Sequence, residues 1–564
     1  MVAPPEYEEK AHESDGGSLG DKEKALQLDS PVDADATNVG LHEFALAMRS
    51  GLRVSPEESR RIRRKIDVWI LPMLCLCQGL SILDKTALNF ANLYGMKAAL
   101  HLSGDQFNWF ASSAYSCRYL VGNYPDSRLL QRFPTGKVLS ITTLIWATIV
   151  ITTPACTNFA GTVVNRLLLG MFEAIVTPGM TLLTGIWYTQ SEVPFRSLIW
   201  YSFNGWAGIF GDLVAFGIGR IEHPQIALWK YIFLILGGMS VCLSIALWFL
   251  FPDSPVDARF FTAEEKILAV KRVAESKVGV KNTEFKIYQI RQAVADPKTW
   301  LLFVASIAAQ IPNGIVSNFS TIVIKGMGFS TSQTTLLDAV SSAFQIASLL
   351  SAGWVCMHFK NMRVITMATG NITCIIAAAC LTYLPAEQKW NRLVAFWFTS
   401  FQSVGFSLSL VMISNNVGGF TKRTFTTAVT FVGYCVGNII GPHFLIDSEA
   451  PTYPTGTTAM FIGYIIKTIA HILLGVYMWK SNVKKDRIHG KITSYEDQLK
   501  GEEAGMRDLT EFENPYHRYV CRRTIAHVRY SDPLCQICFV RAEAVLYMYL
   551  FERMFHVVHE NLLL

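Results

Sequence analysis

The sequence carries little charge for its size. Only 17% of its 564 residues are Asp, Glu, Lys or Arg, whereas soluble proteins carry about a quarter. Hydrophobic residues make up 51% of the chain, and the mean hydropathy is +0.28. This composition excludes a string of ordinary soluble domains and favours one large apolar body with polar ends.

Several functional signatures are also missing. The chain has no GxxxxGK[ST] loop for ATP phosphates, no HExxH or GxSxG of a membrane enzyme, and no basic and aromatic cluster typical of a nucleic-acid surface. The 12 cysteines are scattered, many of them in apolar runs, which indicates buried thiols rather than disulfides. The one CxxC, Cys535 to Cys538, has no second pair. No cofactor, metal or nucleic-acid partner is therefore predicted, and any transport would be downhill or driven by a gradient.

Long apolar segments dominate what is present. A window of about 20 residues, the length that crosses a bilayer, finds six segments in each half of the chain, separated by a polar stretch. They are roughly 66–88, 107–127, 138–155, 160–182, 197–219, 229–251, 299–321, 333–356, 364–384, 393–414, 424–446 and 457–479. The sequence predicts an all-α integral membrane protein with twelve transmembrane helices in two six-helix bundles.

Basic residues in alternate loops set the orientation. SRRIRRK precedes the first segment and KSNVKKDR follows the last, whereas the loop from Thr152 to Asn158 has no lysine or arginine. Both tails and the middle loop are therefore predicted to be cytoplasmic, and TAEE in that loop predicts the start of a short amphipathic helix. The predicted organisation is a tail at 1–65, a bundle at 66–251, the middle loop at 252–297, a bundle at 298–480 and a tail at 481–564.

The fourth segment, NRLLLGMFEAIVTPG, places two full charges in an apolar run. Arg166 and Glu173 are seven residues apart, so they share a helix face about 10 Å apart along the axis. An ionisable residue in a membrane costs ~3 kcal/mol unless it faces protein or water, so each must find a partner on another helix or in a substrate. One interpretation is a structural ion pair between helices. The other is a central cavity with one cationic and one protonatable site.

The first segment, SILDKTALNFAN, holds a second pair of charges. Asp84 and Lys85 are adjacent and point about 100° apart on a helix, so one of them is predicted to meet the fourth segment. Asn89 lies one turn after Lys85 on the same side. In the alternative interpretation both charges lie at the outer membrane surface, with Lys85 extended toward water.

Further polar residues predict a polar interior. The fifth segment carries Asn204 and Asp212 beside glycines at every third position, which permits close helix packing. Asn313 follows a proline in the seventh segment, which predicts a kink or a broken helix. Glu173 is the main candidate proton carrier, because a low-dielectric site favours the neutral form of a carboxyl.

Taken in order, a series of strings resembles the fungal allantoate permease family of anion:cation symporters, within the major facilitator superfamily. The resemblance runs from about Arg61 to Val520. The strings are LDKTALNFANLYG, YLVGNYPDSRLLQRFPTGK, NFAGTVVNRLLLGMFEAIVTPGM, IWYSFNG, FLFPDSP, DPKTWLLF, IPNGIVSNF, GFSTSQTTLL, NNVGGFTKRT, VGNIIGP and ENPYHRYV.

The resemblance implies alternating access around a midplane site that takes up a small organic anion, such as allantoate or nicotinate, together with protons. On this analogy Arg166 and Lys85 contact a carboxylate and Glu173 couples the proton. In RLLQRFPTGK, Arg132 and Lys137 match the gating loop, where Gln131 stands in the usual acidic position. The predicted substrate contacts are Lys85, Asn89, Arg166, Asn204, Asn313 and Asn438, and the predicted proton-coupling carboxyls are Glu173 and Asp84. The plasma membrane and a monomer are the defaults that the family and fold imply.

Three features depart from the family pattern: Arg118 in the second segment, Asp212 in the fifth, and residues 521–564 after ENPYHRYV. The last stretch is partly amphipathic, which leaves two interpretations, a membrane-surface segment or the translation of a misread intron or shifted frame. Alternative functions also remain open. One is an exporter or carrier of a fungal secondary metabolite, and another is a transporter-like sensor.

Overall fold

A computed structural model describes residues 38–520 of the chain, apart from 53, 101–124, 127, 280, 360 and 450–451. Several predicted features lie outside the described residues. These are nearly all of the second apolar segment, Arg118, the CxxC pair and the whole stretch after Val520.

The first half of the described chain consists mainly of helices. A short 3₁₀ turn, Thr153–Ala155, follows the fifth of these helices. The helices are α1 (Leu41–Arg49), α2 (Pro56–Trp69), α3 (Leu71–Leu93), α4 (Met96–Ala99), α5 (Thr135–Thr152), α6 (Phe159–Glu173), α7 (Val176–Trp187), α8 (Val193–Gly219) and α9 (Leu228–Leu250).

The middle loop and the second half are also helical. Three 3₁₀ turns, Thr399–Phe401, Gly441–Phe444 and Asp447–Glu449, join or end its helices. The helices are α10 (Ala263–Ala274), α11 (Ile287–Ala295), α12 (Pro297–Gly326), α13 (Thr331–His358), α14 (Arg363–Tyr383), α15 (Lys389–Phe398), α16 (Gln402–Asn416), α17 (Phe420–Ile440), α18 (Pro454–His489) and α19 (Tyr495–Met506).

Ten helical segments within the described ranges are long and apolar enough to cross a membrane. They correspond to the predicted segments except the second, which is mostly outside those ranges, and the fifth. The fifth is α8, which is helical over 27 residues. Its glycines, Asn204 and Asp212 lower its hydropathy below that of the other segments. The last spanning helix, α18, ends at His489, nine residues beyond the predicted boundary at 480.

The fourth and seventh predicted segments each contain a proline, and only the fourth is interrupted near it. The fourth segment is interrupted between α6 and α7, because Pro178 lacks the N–H that would bond to the carbonyl of Ala174. Glu173 is therefore the last residue of α6. In the seventh segment, where a kink or a broken helix is predicted, α12 continues through Pro312 without interruption, so the helix is not broken.

The two bundles meet along α8 and α13. The predicted glycine spacing is what permits this approach: a β-carbon at Gly205 would lie 2.7 Å from the carbonyl oxygen of Ser342, and one at Gly208 would lie 2.7 Å from its hydroxyl oxygen. Gly211 faces its own bundle, where a β-carbon would lie 2.8 Å from the ring of Phe90. The stripe thus serves both contacts of α8.

The bundles also meet at the ends that the loop charges predict to be cytoplasmic. The Gln190 side chain donates to the backbone oxygen of Asn415 at 2.9 Å, and the Asn415 side chain donates to that of Gln190 at 3.2 Å. The Ser414 hydroxyl donates to the backbone oxygen of Thr181 at 3.1 Å. We call these four residues the cytoplasmic seam, and its hydrogen bonds close this end of the molecule between the bundles.

The middle loop contains more structure than the single surface helix predicted from TAEE. That helix, α10, begins at the predicted capping box, in which Thr262 and Glu265 each accept the other's backbone N–H. The loop also forms α11 and a strand, β2 (Lys281–Asn282), which pairs antiparallel with β1 (Asn38–Val39) from the N-terminal segment.

Candidate substrate and proton site

The structure joins the charges of the first and fourth segments. Arg166 on α6 is 2% exposed, and its Nη1 donates to the backbone oxygen of Asp84 on α3 at 3.4 Å. The Asp84 carboxyl is 1% exposed and lies within the electrostatic reach of both Arg166 and Glu173. The ring of Phe233 covers the guanidinium at 5.4 Å. The prediction that one of the adjacent charges on α3 meets the fourth segment is therefore confirmed for Asp84.

Glu173 lies two turns after Arg166, at the C-terminal end of α6. It is fully buried, and its Oε1 accepts a hydrogen bond of 2.7 Å from the Ser81 hydroxyl. Its charge also acts on Lys85. A hydroxyl donor supports either form of a carboxyl, since it can donate to the anion or accept from the acid. The arrangement suits a group that gains and loses a proton.

Lys85 lies where the two bundles face each other. It is half-buried, and its ammonium lies 5.9 Å from the ring centre of Tyr434 on α17, in the opposite bundle. Tyr434 packs on Phe406 at 5.5 Å, and Phe406 packs on Tyr201 at 6.1 Å. An aromatic cluster that the sequence analysis missed thus borders this cation. The side chain of Asn89 lies outside what the structure describes.

Asn204 is held within the first bundle. Its Oδ1 accepts a hydrogen bond of 2.7 Å from Gln78 on α3, and it lies beside the Tyr201 hydroxyl. Asn204 is half-buried. The hydrogen bond with Gln78 joins α8 to α3, the helix that also carries Lys85.

The second bundle contributes a connected group of amides. Asn313 donates to Asn438 at 3.1 Å, Asn438 donates to Gln310 at 3.1 Å, and Gln402 donates to Asn313 at 3.3 Å. We call Gln310, Asn313, Gln402 and Asn438 the amide cluster. It joins α12, α16 and α17 and unites two predicted contacts, Asn313 and Asn438.

A buried cation behind the amide cluster was missed by the sequence analysis. Lys467 on α18 is fully buried, and its Nζ donates to the backbone oxygen of Gln402 at 2.7 Å. One turn on, His471 bonds to Asn371 at 2.9 Å and to Ser409 at 2.8 Å. Over the described chain, no carboxylate forms an ion pair with Lys467. A lysine inside an apolar segment was the available signal.

Asp212, noted as a departure from the family pattern, faces the other bundle. Its carboxyl acts on that of Asp338 on α13, which accepts a hydrogen bond of 3.0 Å from the hydroxyl of Ser320. This carboxyl pair lies toward the end of α8 and the start of α13. It is a feature of the bundle interface and not a member of the predicted site.

The residues of the predicted gating loop make different kinds of contact. Lys137 donates to the backbone oxygen of Trp248 at 2.6 Å and stays within the first bundle, while Arg132 is exposed beside Phe133. Gln131 makes the contact between bundles, because its amide donates to the Thr421 hydroxyl at 2.7 Å.

A separate groove of about 600 Å³ lies between α12 and α18. Its lining is apolar, and two of its residues, Ile462 and Ile466, are 50% and 42% exposed on the outer surface of the bundle. None of the predicted site residues lines it. We therefore place the candidate site between the bundles and not in this groove.

The comparison with protein families decides the superfamily. The profile described as Major Facilitator Superfamily matches residues 74–442, which is more than half of the chain. The chain belongs to the major facilitator superfamily. Its relatives are membrane transporters and not enzymes, which agrees with the absence of catalytic motifs noted above.

Relatives and solved structures extend this result. An uncharacterized transporter of Schizosaccharomyces pombe is 35% identical over 466 residues, covering 82% of this chain and 88% of the relative. The allantoate permease of Saccharomyces cerevisiae is 28% identical over 479 residues, covering 83% and 88%. The proton:xylose symporter XylE has a similar fold, with a TM-score of 0.55 at 14% identity over 73% of this chain and 94% of XylE. This member of the superfamily is thus an all-α, multi-pass membrane transporter similar to the allantoate permease.

Proposed function

We propose that this transporter imports a small organic anion, a carboxylate, together with a proton. The observation that carries the proposal is the position of Lys85. Its ammonium is half-buried between the bundles and feels the charge of Glu173 from its own bundle, with Tyr434 opposite. One cation is therefore placed to interact with a carboxylate of the protein or with one brought by a substrate.

Charge balance links the substrate to the proton. In the first bundle Arg166 acts electrostatically on Asp84, and Glu173 acts on Lys85, so each cation has a carboxyl of opposite charge within electrostatic reach. Protonation of Glu173 removes the counter-charge of Lys85 and leaves a cation for the substrate carboxylate. Binding the anion with one proton restores neutrality, whereas binding either alone leaves an uncompensated charge in a low-dielectric site. The two are therefore taken up together.

The second bundle supplies recognition in this proposal. The amide cluster offers donors and acceptors in fixed directions, and the aromatic rings of Tyr201, Phe406 and Tyr434 offer apolar faces. Amides and rings suit the uncharged remainder of a small acid. The similarity to the allantoate permease supports this class of cargo, since allantoate is a carboxylate.

Uptake of a panel of labelled small carboxylates tests the proposal. The full chain is expressed in yeast lacking its own related permeases, and initial rates are measured at acid and at neutral external pH. We expect faster uptake at acid pH for at least one carboxylate. Arg166→Ala abolishes uptake, and Glu173→Gln removes the response to pH, while both variants reach the cell surface.

Two results would contradict the proposal. One is equal uptake at both pH values by the unchanged protein. The other is an absence of carboxylate uptake at normal surface levels, with efflux from preloaded cells instead. Exposed Glu222 in the loop after α8 provides the matched control, because Glu222→Gln removes a carboxyl outside the site. The proposed location is the plasma membrane and the proposed state is a monomer, which surface labelling and sizing in detergent would check.

A further inference from the structure

The segment after the last spanning helix folds back on the cytoplasmic ends of the second bundle. We call residues 495–520 the tail segment. Its Glu511 is fully buried and accepts from the ammonium of Lys298, at the start of α12, at 2.6 Å. The same carboxylate pairs with Lys422, at the start of α17, and accepts from the backbone N–H of Gly418 at 2.9 Å. One carboxylate therefore ties together the cytoplasmic starts of two spanning helices.

Aromatic and backbone contacts complete this attachment. Phe512 covers the Lys422 ammonium at 3.5 Å, and Tyr519 covers that of Lys298 at 4.2 Å. Tyr519 also exchanges two backbone hydrogen bonds with the side chain of Asn482 on α18, at 2.8 and 2.9 Å. The string ENPYHRYV is thus packed into the base of the second bundle, instead of forming a free extension.

The tail segment also reaches the first bundle through the middle loop. Glu502 on α19 pairs with Lys271 on α10 at 2.6 Å. From the same helix α10, Arg272 pairs with Glu192, in the turn before α8, at 2.9 Å. A continuous series of buried contacts therefore runs from the first bundle, through α10, to the tail segment and the second bundle.

The backbones of the tail segment and the middle loop touch directly. Gly279 has a φ of +67°, and a β-carbon there would lie 2.4 Å from the backbone oxygen of Gly505. No side chain fits between these two backbones. This end of the tail segment is held by shape as well as by charge.

These contacts lie directly beneath the cytoplasmic seam. Asn416, which follows the seam residues Ser414 and Asn415, accepts a hydrogen bond of 2.7 Å from the N–H of Val520 and, through its backbone oxygen, one of 3.1 Å from Lys298. A path from the site to the cytoplasm requires the seam to open between α7 and α16. The tail segment links the two sides that must separate.

We propose that the tail segment is a cytoplasmic latch, which holds the transporter closed on the cytoplasmic side and limits how often that side opens. Glu511 fixes its end on the second bundle, and the Lys271–Glu502 pair fixes its end on the middle loop. The inference does not rest on the substrate or on proton coupling. It concerns only which side of the molecule is open.

Acidification of the cytosol does not release this latch. Burial alone would raise the pKa of Glu511, but the ammonium groups of Lys298 and Lys422 outweigh it and hold that pKa well below its usual range. Lys485 and Asp296 are the other charged groups close to it. The carboxylate stays ionised at cytosolic pH, so the latch opens by breaking contacts and not by protonation.

Cysteine labelling in membranes tests the latch without any substrate. A reporter cysteine replaces Ser414 in the seam, in a background without other reactive cysteines, and its alkylation rate by a membrane-permeant maleimide is measured. We expect Glu511→Gln to raise that rate by about tenfold, because the cytoplasmic side opens more often. The matched control is Glu503→Gln, which alters an exposed carboxylate of the same segment, 46% exposed and paired only with Arg507 in the residues described; its rate stays unchanged.

A second reporter separates opening from unfolding. A cysteine at half-buried Lys85, labelled from the extracellular side, becomes less accessible when the cytoplasmic side opens more often, whereas unfolding exposes both reporters. If Glu511→Gln does not fold, Lys271→Met cuts only the link to the middle loop and raises seam labelling by about threefold. An unchanged seam rate in folded Glu511→Gln, or an equal rise with Glu503→Gln, would overturn the proposal.

Discussion

The interiors of the two bundles differ in chemistry. The first contains ionisable side chains that act on one another electrostatically, Arg166 with Asp84 and Lys85 with Glu173. At the matching place in the second bundle lies the amide cluster, with buried Lys467 behind it. Charged pairs change state when a proton arrives, whereas amides present the same donors and acceptors at every physiological pH. The comparison suggests that coupling belongs to the first bundle and recognition to the second.

The largest effect is expected when Arg166, the cation beside Asp84, is removed. Arg166→Gln leaves the Asp84 carboxyl without its opposing charge, and breaking a buried pair costs ~3–5 kcal/mol. We expect uptake to fall by about 100-fold or more. Arg220→Gln, at the exposed extracellular end of α8, serves as the control and keeps normal uptake. The double variant Arg166→Gln/Asp84→Asn restores the charge balance and reaches the surface but does not regain uptake, and full recovery of uptake would show a purely structural pair.

Glu173→Gln tests coupling with a smaller change in shape. The amide can still accept from Ser81, so folding is retained, but the residue can no longer exchange a proton. We expect the ratio of uptake at acid to neutral pH to fall to about 1, while exchange of labelled for unlabelled substrate continues. Both are measured in proteoliposomes with and without a pH gradient. A variant that still accumulates substrate against its gradient at acid pH would place the proton elsewhere, with Asp84 and Asp212 the next candidates.

The charged candidates in the first bundle could be identified from the sequence because charged residues are rare in apolar segments. Arg166, Glu173 and Asp84 are conspicuous in apolar runs, and the same rule applied to the last segment would have found Lys467. The ten apolar helices and the glycine contact of α8 followed from similar periodic signals. Glu511 could not be found in this way, because a glutamate in a polar tail is common. Its pairing with Lys298 and Lys422, far away in sequence, exists only in the folded chain.

A substitution in the amide cluster tests whether the second bundle serves substrate recognition. Gln402→Leu removes the donor to Asn313, whose side-chain oxygen then keeps only the bond of 3.3 Å from the Ser317 hydroxyl among the contacts described. We expect KM to rise by about tenfold, equivalent to ~1.4 kcal/mol, with the maximal rate and the response to pH unchanged. Gln388→Leu, at an exposed position before α15, is the control. A lost pH response in Gln402→Leu would remove the proposed division between the bundles.

Lys467→Met gives the smallest expected effect and refines the comparison further. Lys467 contacts the amide cluster only through the backbone oxygen of Gln402, so we treat it as a positioning residue that acts through Gln402. Methionine has a similar volume and no charge to bury, so the fold is retained or slightly stabilised. We expect KM to rise about threefold, for ~0.6 kcal/mol, at an unchanged maximal rate, with partial recovery in Lys467→Arg. A changed pH profile of uptake would instead make Lys467 part of proton coupling, and the charge chemistry would then extend into both bundles.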